Sequence, residues 1–180
     1  LQEYLGAPRF LDSQLPEPGR PGVVTGLAWT SVGGEILPIE CMLLSGKGQI
    51  IMTGKLGDVM KESAQIAVSL VRERLHRFGI DPAIVKKTDI HIHVPEGAVP
   101  KDGPSAGIAL TLCLRSAFTR IPVPPDVAFT GEVSLTGACL AIGGLNEKAL
   151  AALQAGVKTL RLPAQNKKDV DELPAPAKKG

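Results

Sequence analysis

Residues 23–54 read VVTGLAWTSVGGEILPIECMLLSGKGQIIMTG, and this stretch decides the class of the fold. Apolar and β-branched residues form three short blocks, which are separated by the turn-forming sequences SVGGE and SGKG. Short blocks between glycine-rich turns are typical of β-strands. We therefore predict a β-meander of three successive strands at the start of the folded region.

After this β-rich start, the hydrophobic pattern alternates between helical and strand periods. Apolar residues recur at helical spacing over 57–78, where Asp58 can cap the first turn. Further strands are predicted at 89–94, 127–135, 138–142 and 158–162, and further helices at 105–118, 146–155 and 166–173. The fold is therefore assigned to the α/β or α+β class.

Composition and charge argue against several classes of protein. Of the 180 residues, 44% are hydrophobic and 21% are charged, which fits one globular domain and excludes a wholly disordered chain. A formal net charge of +2 and 3% aromatic residues argue against a nucleic-acid-binding surface. The longest apolar run is far shorter than a membrane helix, and the first residues lack a signal-peptide pattern.

Proline and glycine cluster in residues 1–21, which we interpret as a linker. The folded domain is predicted to span 22–173, and the tail 174–180 is predicted to be flexible. Three widely spaced cysteines form no metal-binding or disulfide pattern and suit a reducing compartment: Cys41, Cys113 and Cys139. Cys113 lies in an apolar run, so we expect it to be buried as a small hydrophobic residue.

The most unusual segment is PKDGPSAG at 100–107, which places Ser105 between a rigid loop and an apolar helix. One interpretation is structural, because serine is a common helix N-cap. The other is a nucleophile, because free N–H groups at a helix start can stabilise an oxyanion. The G-x-S-x-G pattern of α/β-hydrolases is also matched, but all three histidines precede Ser105: His76, His91 and His93. That order excludes an α/β-hydrolase triad, in which the histidine comes last.

The sequence leaves more than one candidate for the general base that would activate such a serine. His91 or His93 could serve in another chain order, and both could bind a metal, although no third ligand is visible at suitable spacing. Lys148 is the other candidate, because its neighbours are mostly small and apolar, and desolvation at a helix start lowers a lysine pKa. A surface lysine on an amphipathic helix is the competing interpretation. Neither a P-loop nor a G-x-G-x-x-G motif occurs, so no nucleotide site is predicted in this chain.

Several long motifs resemble the proteolytic domain of the Lon ATP-dependent proteases. They are GVVTGLAWTSVGGE (22–35), GDVMKESAQ (57–65), HIHVPEGAVPKDGPSAG (91–107), TGEVSLTG (130–137) and GGLNEKALAA (143–152). The resemblance covers nearly the whole chain.

This resemblance implies a compact α/β domain with a mixed sheet and a Ser–Lys dyad. Ser105 would be the nucleophile, Lys148 the base, and Thr130 would hold the lysine by a hydrogen bond. The implied function is a serine endopeptidase that degrades unfolded or damaged proteins through an acyl-enzyme. No membrane or nucleic-acid partner is expected.

The resemblance also implies a larger assembly, a homohexameric ring. ATP and Mg would belong to an upstream AAA+ module, of which residues 1–21 would be the remnant, and no cofactor is expected in this chain. The expected compartment is the bacterial cytoplasm, with the mitochondrial matrix as the alternative.

The chain departs from the family pattern at a few places. Asn146 stands where Lys or Arg is usual, and we expect a surface or subunit-contact effect. Val99 stands where Thr is common and is expected to alter the loop over the site. The family normally continues with a further strand and helix after 166–169, so we expect different C-terminal packing and ring assembly. An ion pair between Asp102 and Lys148 would raise the lysine pKa, and this is our hypothesis for an inactive form.

Two other functions remain open. The first is a catalytically silent scaffold that binds unfolded segments by strand addition at QIIMTG (49–54) or DIHIHV (89–94). The second is a different acyl hydrolase with His91 as its base.

Overall fold

Eight strands and four α-helices make up the described part of the computed structural model, which comprises residues 15–30, 33–95 and 101–178. The strands are β1 (Val23–Thr30), β2 (Gly33–Ser45), β3 (Ile50–Thr53), β4 (Thr88–His93), β5 (Val127–Phe129), β6 (Glu132–Val133), β7 (Cys139–Leu140) and β8 (Thr159–Arg161). The helices are α1 (Asp58–Arg74), α2 (Gly107–Thr119), α3 (Leu145–Gln154) and α4 (Lys167–Asp171).

The strand order in the large sheet is β3-β4-β2-β1-β5-β8, and β6 pairs with β7 in a separate hairpin. β2 is antiparallel to both β1 and β4. The pairs β1 with β5, β5 with β8 and β3 with β4 are parallel. Parallel and antiparallel pairs therefore occur in one sheet, which confirms the α/β class and the mixed sheet.

The predicted three-strand meander is wrong in its third strand, because β4 lies between β2 and β3. The Asp89 carboxylate accepts hydrogen bonds of 2.8 Å from the backbone N–H groups of Lys47 and Gln49. The connection from β2 to β3 is thereby wrapped around the start of β4, and the two strands do not pair. As a result DIHIHV is an interior strand, and β3 is one of the two edge strands of this sheet.

Helices cover both faces of the large sheet. α1 and α2 pack on one face, here called the two-helix face, over a cluster that includes Ile90 and Leu110. α3 packs on the opposite face, here called the one-helix face, against a small cluster with Leu27 and Ile36. Alternation of side chains along β2 explains the division, because Leu37 points to the two-helix face while Ile36 points to α3.

The first turn of α1 is capped from a distant part of the chain. The N-cap position is Gly57, so the prediction that Asp58 caps the helix is wrong. Asp102 Oδ1 accepts a 3.0 Å hydrogen bond from the Met60 N–H instead. A Cβ on Gly57 would lie 2.3 Å from the Asp102 carboxyl carbon, which explains the glycine. The carboxylate thus ties the loop before Ser105 to α1.

The remaining predicted elements are present, with bounds that differ by a few residues. The predicted strand at 127–135 is divided into β5 and β6. Cys113 is 1% exposed, which confirms its burial, and its Sγ–H donates to the carbonyls of Gly22 and Ile39. Burial raises the pKa of the Cys41 thiol to about 12, whereas Cys139 is exposed.

Parts of the predicted organisation lie outside the described residues, namely 1–14 of the linker, the end of the tail at 179–180, and Val99. Residues 175–178 of the tail form a 3-10 turn, and Ala177 packs against the cluster around Leu145. The predicted domain boundaries stay predictions. Among the described residues, no helix is both long and apolar enough to cross a membrane.

Candidate active site

Ser105 lies in a turn just before α2 and is half-buried. The N-cap of α2 is Ala106, so the N-cap interpretation of Ser105 is wrong. The Ser105 carbonyl accepts a 2.8 Å hydrogen bond from the Gly131 N–H, and the Gly131 carbonyl in turn accepts a 3.0 Å bond from the Ile108 N–H. Gly131 therefore holds the backbone just before and just after the start of α2. Both bonds use backbone groups, so the serine hydroxyl remains available for another partner.

The partner of that hydroxyl is Lys148. Lys148 Nζ donates a 3.0 Å hydrogen bond to Ser105 Oγ, across 43 residues of sequence. Lys148 is 2% exposed, which excludes the surface-lysine interpretation. The structure therefore brings together the two residues that the motifs indicated.

A close approach between β2 and α3 places the lysine. Gly34 of β2 lies against the first turn of α3, and a Cβ there would be 2.1 Å from the Glu147 carbonyl oxygen. Gly144, the N-cap of α3, has a left-handed conformation (φ 66°) and lies against the Trp29 ring. Glycine tolerates both situations at little steric cost. Larger residues at these two positions would push α3, and Lys148 with it, away from Ser105.

Burial changes the acid–base properties of Lys148. It lowers the pKa of the ammonium from 10.5 to about 8, because the charged form loses hydration inside the protein. A lysine with this pKa is partly neutral near physiological pH. The group can therefore accept a proton from a neighbouring hydroxyl, which an ordinary surface lysine cannot do.

The two residues open into a cleft of about 280 Å³. Its apolar walls come from both faces of the sheet and include Leu27, Met60 and Ile142, and Trp29 stands at its rim. Two other clefts have similar volumes, about 290 and 320 Å³, so size does not single this one out. The Ser105–Lys148 contact distinguishes it.

Backbone donors are available next to the serine. Within the described residues, the N–H groups of Ser105 and Ala106 have no hydrogen-bond acceptor. They precede the first turn of α2, where N–H groups have no intrahelical partner. Such free donors can stabilise negative charge on a bound carbonyl oxygen.

The Asp102 carboxylate does not pair with Lys148. It accepts hydrogen bonds from the N–H groups of Met60 (3.0 Å) and Gly103 (2.9 Å). These bonds lower the pKa of the Asp102 carboxyl, with the Met60 bond as the larger cause. The hypothesised ion pair between Asp102 and Lys148 is therefore absent in this structure.

Thr130 lies next to the Ser105 backbone and is fully buried. Its hydroxyl donates a 3.4 Å hydrogen bond to the Ser105 carbonyl, so the structure gives it a different partner from the expected lysine. Thr130 thus contacts the Ser105 backbone, and its support of the lysine stays a prediction. Asn146 is exposed on the first turn of α3, as expected for a surface position.

The histidines lie elsewhere. His91 Nε2 and His93 Nδ1 both hydrogen-bond the Thr53 hydroxyl, at 2.9 and 2.7 Å, on the β3–β4 side of the sheet. His76 bonds the Glu73 carbonyl at the end of α1. No group of three potential metal-ligating side chains exists in the described part of the chain. None of these contacts offers a histidine to Ser105.

Sequence reasoning missed several residues that shape the site. The Gly33-Gly34 pattern predicts only a turn, whereas Gly34 lies in β2 and allows the first turn of α3 to approach closely. Trp29 and Ile142 were assigned no role in the cleft. A glycine within a strand pattern can mark a close approach of another backbone, and this signal could have identified Gly34.

Comparisons with known proteins agree with the geometry. The family model of the Lon protease (S16) C-terminal proteolytic domain matches residues 1–180. The Lon protease of Xanthomonas oryzae pv. oryzae is 54% identical over 97% of this chain, and that of Chloroflexus aggregans is 59% identical over 96%. Lon protease 1 of Myxococcus xanthus is 52% identical over 98%. The aligned part is 21–22% of each relative, so the chain spans about a fifth of their length.

Proposed function

The chain belongs to the Lon protease (S16) C-terminal proteolytic domain family and is a peptidase domain, and we propose that it hydrolyses peptide bonds through a Ser105–Lys148 dyad. The observation that carries the proposal is the 3.0 Å contact between Lys148 Nζ and Ser105 Oγ in a cleft, made by a lysine that is 2% exposed. Burial keeps part of the lysine neutral, and a neutral amine is the form that accepts a proton.

The reaction begins when neutral Lys148 takes the hydroxyl proton of Ser105. Ser105 Oγ forms a bond to the carbonyl carbon of the peptide, and the N–H groups of Ser105 and Ala106 stabilise the negative oxygen. The Lys148 ammonium then gives its proton to the leaving amine as the C–N bond breaks, which leaves an ester on Ser105. A water molecule attacks this ester with Lys148 as base, and the acid product leaves as the serine hydroxyl is restored.

We also propose the wider setting that the family resemblance implies. The substrates are unfolded or damaged proteins, and the whole protein is an ATP-dependent endopeptidase that assembles as a homohexameric ring. Because this chain spans about a fifth of its relatives, we assign ATP and Mg to an AAA+ module elsewhere in the protein. The proposed compartment is the bacterial cytoplasm, with the mitochondrial matrix as the alternative.

Covalent labelling tests the dyad. A fluorophosphonate probe should form an adduct on Ser105, as mapped by mass spectrometry, and the adduct should be absent in Ser105→Ala. In Lys148→Ala the labelling rate should fall by about 100-fold or more, since general-base catalysis contributes roughly that factor. In the wild-type chain the rate should rise about tenfold per pH unit up to about pH 8 and then level off.

Two outcomes would contradict the proposal. Absence of an adduct, together with binding of an unfolded protein that Ser105→Ala leaves unchanged, would favour a silent scaffold that uses the β3 edge. Labelling of Ser105 that survives in Lys148→Ala but is lost in His91→Ala would favour a histidine base. His93→Ala is the matched control for that second case, because His93 shares the Thr53 contact.

A further inference from the structure

The segment just before α3 has no regular secondary structure, although it forms a wall of the cleft. Ala141, Ile142 and Gly143 line the cleft together with Ser105 and Lys148. They follow the two-residue strand β7 and lead directly to the Gly144 N-cap. Other contacts must hold this wall in place, and the role we infer for them rests on the proposed function.

The link between this wall and α3 consists of two glycines, which allow many backbone conformations. Gly143 has open space around it, and Gly144 adopts a left-handed conformation. Two consecutive glycines restrict the backbone very little, so neither residue can by itself fix Ile142 or the start of α3. A fixed position for both must come from contacts outside the segment.

Asn166 provides such a contact. Its Oδ1 accepts a 3.1 Å hydrogen bond from the Ile142 N–H, and its Nδ2 donates a 2.9 Å bond to the Ile142 carbonyl. Asn166 is 1% exposed, although it is a polar residue. One side chain therefore binds both backbone groups of Ile142, as a neighbouring β-strand would.

The amide orientation of Asn166 is determined by its surroundings. Nδ2 donates its second hydrogen to Asp169 Oδ2 at 2.6 Å, and an ionised carboxylate can only accept. The nitrogen must therefore face Asp169, which leaves Oδ1 for the Ile142 N–H. The neighbouring Gln165 adds a third bond to the wall, because its Oε1 accepts from the Ala141 N–H at 3.1 Å.

We propose that Asn166 is a positioning residue of the active site, which holds Ile142 and, through the two-glycine link, the start of the helix that carries Lys148. Asn166 touches neither Ser105 nor Lys148 in its hydrogen bonds, so it acts through the backbone alone. Loss of the Asn166 amide frees the wall and the first turn of α3. Lys148 then contacts Ser105 for a smaller fraction of the time.

The test compares Asn166→Ala with Ser116→Ala. Ser116 is a matched control because it is also buried (2% exposed) and its hydroxyl also bonds two backbone groups, the Gly22 N–H and the Ile121 carbonyl. It lies near the C-terminal end of α2, away from the dyad. Both variants should lose similar stability, so a difference in reactivity reports position rather than folding.

The expected result is a loss of Ser105 labelling by fluorophosphonate in Asn166→Ala of about 10- to 100-fold, the scale of a small misplacement of reacting groups. The midpoint of the labelling rate against pH should move above about 8, since a freed lysine regains water. Ser116→Ala should keep both the rate and the midpoint.

Hydrogen exchange separates the failure of this inference from the failure of the proposed function. The amide hydrogens of Ile142 and Lys148 should exchange faster in Asn166→Ala than in Ser116→Ala. If wild-type Ser105 takes no label, the proposed function fails, and this exchange comparison still decides whether Asn166 holds the wall. If labelling, midpoint and exchange in Asn166→Ala all match the control, Asn166 has only a structural role and the inference is overturned.

Discussion

The two halves of the proposed dyad come from opposite faces of one sheet, and these faces are built differently. On the two-helix face, twenty buried residues form one continuous cluster between the sheet, α1 and α2. On the one-helix face, the described buried residues form two small clusters of four and three. Ser105 directly precedes α2, which packs on the two-helix face. Lys148 lies on α3, which packs on the one-helix face.

This difference indicates that the two residues of the proposed dyad are held by different means. The α2 start is anchored by a large aliphatic core and by the Gly131 backbone. α3 rests on little apolar area, so its position depends on particular contacts such as Gly34 against its first turn. We therefore expect changes on the two-helix face to affect stability most. Changes on the one-helix face should affect reactivity more than stability.

A matched pair of leucine changes tests this comparison most strongly. Leu110 is 1% exposed in the large cluster, and Leu145 is 5% exposed at the start of α3. Leu→Ala changes in cores cost about 2–5 kcal/mol of unfolding free energy, and we expect Leu110→Ala near the upper end and Leu145→Ala near the lower end. Chemical denaturation measures both values.

Labelling of Ser105 should rank the same two variants in the opposite order. Measured where both variants are fully folded, the rate should fall by roughly tenfold or more in Leu145→Ala and stay near the wild-type value in Leu110→Ala. Equal rates in the two variants would mean that α3 is held as firmly as α2. The contrast between the two faces would then have no functional meaning.

The sequence predicted most of the fold, because its helices and strands have clear local patterns. The helical period of 57–78 and the alternation in DIHIHV each depend on neighbouring residues only. The sequence motifs around Ser105 and Lys148 identified them as candidates, and the family resemblance predicted that the two side chains would be in contact. The small apolar neighbours of Lys148 had already pointed to burial.

The errors in strand order and in the cap of α1 concern contacts between distant segments. The place of β4 between β2 and β3 depends on the Asp89 carboxylate, which lies about 40 residues from the loop that it holds. The cap of α1 comes from Asp102, 42 residues away. A single sequence carries no local signal for such pairs, since each residue alone fits an ordinary turn or loop.

The next prediction concerns the free energy that the one-helix face loses by burying Lys148. Lowering its pKa from 10.5 to about 8 corresponds to about 3 kcal/mol of unfavourable free energy at neutral pH, at about 1.4 kcal/mol per pH unit. Lys148→Met should therefore be inactive and more stable than the wild-type chain at pH 7 by about 2 kcal/mol, after allowance for the lost hydrogen bond to Ser105.

The sign of the pH dependence gives this prediction a second check. Between about pH 8 and 10.5 the unfolded chain binds more protons than the folded one, so wild-type stability rises with pH in that window. The advantage of Lys148→Met should shrink over the same window. Denaturation at pH 7 and pH 9.5 measures it, and an advantage that is the same at both would mean that Lys148 is not desolvated as described.

The smallest expected effect concerns Asp102, which links the loop before Ser105 to α1 on the two-helix face. Hydrogen bonds from the Met60 and Gly103 N–H groups lower the pKa of its carboxyl. Its contribution to stability is therefore present above the unfolded value of about 3.8 and is lost as the pH falls through the lower folded value. Asp102→Asn keeps an acceptor but loses the charge, so its melting temperature should be slightly below that of the wild-type chain at pH 7 and equal to it at strongly acidic pH.

The same variant decides whether Asp102 acts on the dyad. Because its carboxylate is bonded to α1 and not to Lys148, the labelling rate and its midpoint near pH 8 should be unchanged in Asp102→Asn. If Asp102 formed an ion pair with Lys148 in solution, removing its charge would lower the lysine pKa and move the midpoint to lower pH. A shift in that direction would show that the loop before Ser105 can leave α1, and that the Ser105 side of the site is less fixed than its large core suggests.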